Sequence, residues 1–213
     1  MKNPWQDISL DDYENHMQLE TVQQLSELNK IMKKQFSQYS IETLMILGVA
    51  GGNGLEHISP DQVHKVYGVD INQDYLVQCQ QRYDQLETIL ECICTDLCSE
   101  GYQLPHVDLV VANLLIEYIG YTCFQRVLQN ISPQFVSCVI QINPNEEFVS
   151  NSPFTHVFEH LDEVHHQLEE IQLIQHMKDI HYEHTLKEVT LLPDGKQLLR
   201  LDFVKQNTLF DRI

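Results

Sequence analysis

Positive charge is scarce in this sequence, and that scarcity limits the partners the protein can bind. Thirteen Lys and Arg residues stand against 31 Asp and Glu residues in a chain of 213, which gives a formal net charge of -18 at pH 7. Such a charge repels phosphate backbones, because nucleic-acid binding depends on Lys and Arg. The densest basic stretch, Lys30 to Lys34, is too short to offset it. We therefore expect no nucleic-acid partner, whereas small molecules, amines and cationic partners remain open.

Long apolar runs are also absent. No run approaches the ~20 residues needed to cross a bilayer, and residues 1–7 contain no apolar signal-peptide core. The six cysteines include no CxxC pair, so a reduced setting is favoured. We expect a soluble, cytoplasmic protein with no membrane partner.

Metal-binding patterns are missing as well. Cys92, Cys94 and Cys98 lie close together, but their spacing matches no common zinc site. His156 and His160 are four residues apart without an HExxH motif or a nearby cysteine. We expect no bound metal.

What the sequence does contain is an alternation of strand-like and helical segments. Short apolar runs predict five strands, at Leu44 to Leu47, Lys65 to Val69, Thr88 to Cys94, Asp108 to Ala112 and Phe135 to Ile142. Helical patterns occupy the first 40 residues, Gln73 to Leu86, and a stretch that includes Phe124 to Gln129. Ser9 and Asp12 fit a capping box. This alternation predicts a parallel sheet with both faces covered.

The last third of the chain has a different pattern. Glu163 to His181 is predicted to be one long helix. Thr185 to Leu192 and Gln197 to Val204 are predicted to form a β-hairpin, with Asp194 and Gly195 in its turn. The fold class is therefore α/β: a Rossmann-like, doubly wound, mostly parallel seven-stranded sheet that ends in an antiparallel hairpin.

A glycine-rich segment follows the first predicted strand. It runs from Gly48 to Gly54, and Asp70 ends the next strand about 20 residues later. In doubly wound folds, such a loop approaches a nucleotide closely while the acid accepts the ribose hydroxyls. Asp96 follows the third strand, where it can accept from an adenine amino group. Each acid alone fits a helix cap or a solvated loop, but the three features occur in the order that a nucleotide site requires.

In these features the chain resembles the class I S-adenosylmethionine-dependent methyltransferases. The family commonly shows an acid-x-Gly-x-Gly-x-Gly loop, an acid ending strand two, and an Asp after strand three. The resemblance covers about Leu44 to Val204. The glycine-rich stretch also resembles a bacterial branch of the family, and that branch implies no particular substrate. There are two departures: Gly48 stands where the family usually has an acid, and Ala50 stands where it usually has the first glycine.

The resemblance implies that S-adenosylmethionine is the cofactor and S-adenosylhomocysteine the product. The cofactor-binding residues it implies are Gly48, Ala50, Gly51, Gly52, Gly54, Asp70, Ile71, Asp96, Leu97 and Asn113. Other nucleotide motifs fail: His57 takes the last position of a GxGxxG fingerprint, and no GxxxxGK run is present.

The resemblance also implies where the methyl acceptor binds. The region before strand one often forms a lid in this family, so residues 1–40 are expected to be a helical lid and residues 41–213 the methyltransferase domain. Tyr13, His16 and Met17 become candidates for substrate contact. Tyr13 and Met17, four residues apart, also fit plain helix packing.

The remaining catalytic candidates lie after strands four and five. Glu117 and Tyr118 follow strand four closely enough to face the substrate, or else they begin a helix. His165 or His166 lies in the segment that often borders the substrate in this family, where it could act as a base. With Tyr13 and His16, Glu117 and His165 complete the predicted catalytic set.

Three functions remain open from the sequence. A small-molecule methyltransferase accords with the cofactor pattern and the acidic charge. A protein or peptide amine methyltransferase is suggested by Asn113 and by an acidic surface that attracts basic partners. A non-enzymatic module that keeps the cofactor pocket is suggested by Gly48 in place of the acid. A closed pocket under the lid favours the first and an exposed cleft the second.

Overall fold

The strand-like segments of the sequence assemble into one mixed sheet. The computed structural model describes residues 3–206. Its strands are β1 (Thr43–Leu47), β2 (Lys65–Asp70), β3 (Leu90–Cys94), β4 (Leu109–Asn113), β5 (Phe135–Ile142), β6 (Tyr182–Leu191) and β7 (Gln197–Lys205). Its α-helices are α1 (Leu10–Met17), α2 (Gln24–Gln38), α3 (Gln73–Arg82), α4 (Ile116–Ile131) and α5 (Glu170–Asp179).

The order of the strands creates a switch point in the middle of the sheet. The order is β3-β2-β1-β4-β5-β7-β6. The first five strands pair in parallel, whereas β7 is antiparallel to both β5 and β6. After β1 the chain forms β2 and β3 on one side of that strand, and it then forms β4 on the other side. This reversal opens a crevice at the carboxyl ends of β1 and β4. The seven-stranded, doubly wound prediction is confirmed.

Both faces of the parallel sheet are covered by helices. Alternate residues of β1 belong to different cores: Leu44 and Ile46 pack with α2 and α3, whereas Met45 and Leu47 pack with α4 and α5. All four side chains are buried. This explains why the strand appears in the sequence as an unbroken apolar run.

Two helix predictions need correction. The helix predicted over Gln73 to Leu86 ends at Arg82, and a separate turn of 3-10 helix follows. The long helix predicted over Glu163 to His181 is wrong, because only Glu170–Asp179 is α-helical. In the segment before α5, the Glu169 N–H donates to the Tyr121 hydroxyl at 2.8 Å, and that hydroxyl donates to the Glu169 carbonyl. These contacts with α4 replace the hydrogen bonds that a longer helix would make.

Other local predictions are confirmed. Ser9 caps α1, its hydroxyl oxygen accepting from the Asp12 N–H at 3.1 Å. The hairpin turn places Gly195 at a φ of 86°, where a side chain would be strained. Within residues 3–206, no helix is long and apolar enough to cross a membrane.

A buried ion pair lies where the hairpin joins the sheet. Arg200 is 1% exposed and Asp202 is fully buried. The Arg200 guanidinium donates to both Asp202 carboxylate oxygens, at 2.9 and 2.6 Å. The Ser137 hydroxyl on β5 donates to the same carboxylate, and Gln35 of α2 donates to the Ser137 hydroxyl at 2.9 Å. The network therefore fastens α2 to the sheet.

Replacing one member of this pair should be strongly destabilising. In Asp202→Asn the buried Arg200 loses its closer and fully buried counter-charge and keeps only the 3.4 Å contact with Glu188, so the free energy of unfolding should fall by about 3 kcal/mol. Urea denaturation measures the change. Glu170→Gln, which breaks the exposed pair with Lys187, should cost less than about 1 kcal/mol. An Asp202→Asn variant as stable as the Glu170→Gln control would contradict this prediction.

Candidate functional site

A cavity of about 700 Å³ lies at the carboxyl ends of the central parallel strands. This volume, which includes the mouth, is typical of small-molecule sites. Seven of the ten residues predicted to bind the cofactor line it: Gly48, Ala50, Asp70, Ile71, Asp96, Leu97 and Asn113. We refer to it as the strand-end cavity. The residues predicted from the sequence therefore meet in the crevice where the strand order reverses.

Asp70 is fixed at the tip of β2 by two backbone groups. One carboxylate oxygen accepts from the Ala50 N–H at 3.0 Å and the other from the Asn72 N–H at 2.9 Å. Burial raises the pKa of Asp70, and the backbone donors act in the opposite direction. A carboxylate oxygen can accept more than one hydrogen bond. Asp70 thus retains acceptor capacity toward the cavity that it lines.

The glycine loop contributes to the cavity through only part of its length. Gly48 and Ala50 line it, with φ angles of 70° and 46°. Gly52 and Gly54 do not line the cavity, but neither position has room for a side chain. A Cβ on Gly52 would lie 2.7 Å from the ring of Tyr83, and one on Gly54 would lie 2.9 Å from Met32.

Gly51 faces the N-terminal helix instead. A Cβ there would lie 2.5 Å from a carboxylate oxygen of Glu14. Glu14 is held by Arg82 through contacts of 2.6 and 2.9 Å, and Arg82 also donates to the Gly51 carbonyl. Gly51, Gly52 and Gly54 therefore allow close packing of the loop against its neighbours.

The acid after β3 is exposed at the rim of the strand-end cavity. One carboxylate oxygen of Asp96 accepts from the Cys98 N–H at 2.8 Å, which fixes the turn. Its neighbour Leu97 is buried and lines the cavity together with Ile119 of α4. A polar rim beside an apolar wall suits a flat heteroaromatic ring with an amino group.

Asn113 ends β4 and makes a reciprocal amide pair. Its side-chain oxygen accepts from Gln35 at 2.9 Å, and its nitrogen donates to Gln35 at 2.9 Å. Because Gln35 also contacts Ser137, the pair connects the cavity to the buried Arg200 network. Gln35 was not among the residues predicted from the sequence.

A second cavity, of about 540 Å³, adjoins the first. Its walls include the rings of Trp5, Tyr13, Tyr118, Phe148 and Phe158, so we refer to it as the aromatic cavity. Trp5, Tyr13 and Tyr118 line both cavities. The ring of Trp5 packs edge-on against Tyr13 and Tyr118, with centroid distances of 5.6 and 4.9 Å. These three rings form a wall shared by the two cavities.

Glu117 lines the aromatic cavity as a buried carboxyl group that is only partly paired. It is 4% exposed, and one oxygen accepts from the Gln141 N–H at 2.7 Å. The other oxygen has no hydrogen-bond partner among the described residues. Burial raises the pKa of Glu117 to about 7. An unpartnered buried oxygen is costly, which favours a ligand group that can donate to it.

Two histidines predicted from the sequence also line the aromatic cavity. His16 shares a 2.8 Å hydrogen bond with Ser152, and the His165 ring stacks on Phe148 at 3.8 Å. Burial lowers the pKa of both imidazoles. Burial raises the pKa of Tyr13 well above its ordinary value, so its hydroxyl stays protonated. The structure thus brings all four predicted catalytic residues to this cavity.

Some lining residues were not found from the sequence. Trp5 lies in a short 3-10 turn with no periodic pattern, and its buried indole N–H has no partner in the described chain. Gln24 and Gln141, which hydrogen-bond to each other, are buried in the wall. The only available signal was that Trp5 is the single tryptophan. His166 does not line the cavity. Its backbone N–H donates to the backbone carbonyl of Glu117 at 2.6 Å.

No metal centre accompanies these cavities in the part of the chain that the structure describes. Among residues 3–206, no three His, Cys, Asp or Glu side chains come together in a way that could hold a metal ion. The segment that carries His156 forms a 3-10 turn, Thr155–Phe158. His156 and His160 are therefore not one turn apart on an α-helix.

Comparison with known proteins connects the site to a family. Residues 46–133 match the family described as a methyltransferase domain. No curated protein matches the chain in sequence. Among solved structures, the N-methyltransferase NodS from Bradyrhizobium japonicum WM9, in complex with S-adenosylhomocysteine, has a TM-score of 0.68 at 13% identity. The similarity covers 97% of this chain and 100% of that chain.

Other similar structures have different named reactions. The geranyl diphosphate C-methyltransferase from Streptomyces coelicolor A3(2) has a TM-score of 0.63 at 9% identity, over 86% of this chain and 81% of that chain. The cyclase SpnF has a TM-score of 0.64 at 10% identity, over 86% and 82%. At such identities the likeness establishes the fold, and the reaction must be argued from the site.

The raised pKa of Glu117 predicts a pH dependence of stability. Its carboxyl group keeps its proton to a higher pH when folded than when unfolded, so the stability it contributes falls as pH rises from about 4.5 to about 7. The Glu117→Gln variant has no carboxyl group to ionise at this position, so it does not lose this contribution to stability as pH rises. Between pH 5 and pH 8, the free energy of unfolding of the variant should therefore rise relative to wild type by about 2 kcal/mol.

Urea denaturation of both proteins at the two pH values measures this difference. Glu159→Gln, at an exposed position, serves as the control and should follow wild type at both pH values. If Glu117→Gln also followed wild type, Glu117 would not be a buried carboxyl group with a raised pKa.

Proposed function

We infer that this chain, which belongs to the class I S-adenosylmethionine-dependent methyltransferase family, binds S-adenosylmethionine in the strand-end cavity and methylates a small molecule held in the aromatic cavity. The observation that carries this proposal is the wall shared by the two cavities, formed by Trp5, Tyr13 and Tyr118. Methyl transfer from a sulfonium requires the donor and the acceptor to lie next to each other and in line.

The residues of the strand-end cavity fit the proposed cofactor. Asp70, with its remaining acceptor capacity, would hold the ribose hydroxyls. Leu97 and Ile119 would contact the adenine, and Asp96 would accept from its amino group. Asn113 would lie toward the methionine portion. When bound, S-adenosylmethionine supplies an electrophilic methyl group with a good, neutral leaving group.

The chain's own contribution is mainly alignment and exclusion of water. A well-aligned pair of reactants can gain about 7 to 11 kcal/mol in ideal intramolecular systems. The aromatic cavity is suited to this because Met17, Phe158 and Leu161 in its lining are buried. Tyr13, His16, Glu117 and His165 are proposed to contact the acceptor. A base is needed only if the acceptor holds a proton at neutral pH.

The size of the aromatic cavity, about 540 Å³ with its mouth, favours a small acceptor over a protein chain. Its lining combines the N-terminal segment with residues 148–165, which follow β5. A polypeptide substrate would need an open groove to reach the shared wall. A cofactor-binding module without activity would bind S-adenosylmethionine but have no use for the partly paired Glu117 carboxyl group.

Residues 3–17 are the part of the chain proposed to act as a lid. Asn72, at the tip of β2, donates to the backbone carbonyls of Trp5 and Ile8 at 2.9 and 3.4 Å. The lid proposed here is shorter than residues 1–40, because α2 is bound into the sheet through Gln35. The domain proposed for residues 41–213 would therefore function together with α2.

Loss of the Asp70 charge should weaken cofactor binding. Asp70→Asn keeps the size of the side chain but removes the charge and one acceptor, so affinity for S-adenosylhomocysteine should fall by about 1 to 3 kcal/mol, roughly fivefold to 150-fold. Isothermal titration calorimetry measures it. Asp74→Asn removes the same charge at an exposed position four residues away and should leave affinity unchanged. Equal affinities in the two variants would take Asp70 out of the site, and failure of wild type to bind would contradict the proposed function.

The lid can be released by a single atom exchange. Asn72→Asp keeps the oxygen that caps α3 but replaces the amide that holds Trp5 and Ile8 by a second acceptor. Asp and Asn cap helices about equally well, so the fold should be retained. The emission of Trp5 should shift to the red as the indole becomes hydrated, and protease cleavage before residue 17 should become faster.

The matched control for lid release is Asn145→Asp, which adds the same charge in an exposed loop. Its emission spectrum and cleavage rate should match wild type. Unchanged Trp5 emission in Asn72→Asp would mean that residues 3–17 are held by packing alone.

A further inference from the structure

The lining of the aromatic cavity carries a single kind of charge. Among the described residues that line it, Glu117 has the only carboxyl group, and none is Lys or Arg. Lys196, which contacts the lining residue Ser150 at 2.9 Å, is already paired with Asp194 at 3.0 Å. An anionic acceptor would therefore meet repulsion without a compensating cation.

The free oxygen of Glu117 is open to a donor from a ligand. Its partner oxygen is occupied by the Gln141 N–H, while the free oxygen has no hydrogen bond in the described part of the chain. His16 and His165 also face this cavity, and burial lowers the pKa of both, which leaves them neutral near pH 7. No positive side chain in the lining neutralises the Glu117 carboxylate.

The walls around Glu117 add a second preference for cations. The rings of Trp5, Tyr118 and Phe158 line the same space. Aromatic faces attract ammonium groups, most strongly when the cation is desolvated, and cages of several rings hold alkylated ammonium groups in this way. A neutral hydroxyl acceptor could donate to the free Glu117 oxygen but would gain no charge attraction from it or from the rings, and a carbon acceptor would gain apolar contact alone.

From these observations we propose that the methyl acceptor is a small primary or secondary amine, held as its ammonium ion by the free Glu117 oxygen between the rings of the aromatic cavity. This inference rests on the proposed function for the transfer step, but the preference of the cavity for amines does not. It assigns Glu117 as a catalytic residue that binds the amine and removes its proton.

The reaction balances without another reactant. The ammonium N–H gives its proton to Glu117, which frees the nitrogen lone pair. That lone pair forms the new bond to the methyl carbon while the carbon–sulfur bond breaks, and its electrons stay on the sulfur, which becomes a neutral thioether. The methylated nitrogen carries the positive charge, and the proton on Glu117 passes to solvent. One proton is released for each methyl group transferred.

Trp5 makes the cavity directly observable, because it is the only tryptophan in the chain and lines the cavity wall. We would titrate the full-length protein at pH 8 with benzylamine, benzyl alcohol and benzoate, with and without S-adenosylhomocysteine, and follow Trp5 emission. These probes share one ring and differ in the charge of the polar group. Benzylamine should bind at least about tenfold more tightly than benzyl alcohol, and benzoate should bind most weakly.

Variants at one position separate charge from packing. Glu117→Gln should lower the preference for benzylamine over benzyl alcohol to less than threefold while leaving benzyl alcohol affinity unchanged. Glu117→Asp, which keeps the charge, should retain most of the preference. Glu159→Gln should behave as wild type. A thermal melt of each variant confirms that the titrated protein is folded.

Three results would overturn the inference: equal affinities for benzylamine and benzyl alcohol in wild type, tighter binding of benzoate, or an amine preference that survives in Glu117→Gln. Failure of the proposed function gives a different pattern, since S-adenosylhomocysteine would then not bind in calorimetry whatever the probes do. A set of primary amines with S-adenosylmethionine should release S-adenosylhomocysteine in wild type and at least a hundredfold more slowly in Glu117→Gln, whereas matched alcohols should release none.

Discussion

The buried pairing of Arg200 with Asp202 is the interaction on which the placement of the site depends. Both groups are out of water, and their contact at 2.6 Å is shorter than the 3.4 Å contact of Arg200 with the partly exposed Glu188. Through Ser137 their network reaches Gln35, and through Gln35 it reaches Asn113 at the end of β4. A polar chain thus runs from the C-terminal hairpin, through a helix that precedes the sheet, to the rim of the strand-end cavity. The hairpin and α2 are therefore parts of the frame that positions Asn113.

The two cavities are built in different ways. The strand-end cavity arises from topology, because the reversal of strand order beside β1 leaves a crevice at the carboxyl ends of the strands. The aromatic cavity is assembled from the N-terminal segment, the first turn of α4 and the stretch after β5. Gly120 in α4 has non-helical angles, φ 71° and ψ 165°, so the turn carrying Glu117 is set apart from the rest of the helix. Trp5 and Tyr118 line both cavities and therefore connect them.

The sheet and the strand-end cavity could be predicted because their signals are local. Apolar runs that end in glycine or Asp mark buried strands and their tips, and Asp70 lies where that pattern places it. The helix predicted over Glu163 to His181 failed because contacts of residues 166 and 169 with α4 compete with helix formation, and periodicity does not register them. Gln35 and Trp5 could not be assigned from the sequence, since their importance comes from partners far away in the chain. The free oxygen of Glu117 is likewise visible only in three dimensions.

The division between the two cavities has a consequence for how this protein can diverge. The segments that form most of the aromatic cavity, residues 3–17 and 148–165, contribute no strand to the sheet. Insertions, deletions and substitutions in such segments are tolerated far better than changes in β1, β2 or β4. Changes in these two segments could therefore alter which ligand the aromatic cavity takes while the strand tips stay as they are. The residues open to such change and the residues that build the sheet thus lie in separate stretches of one polypeptide.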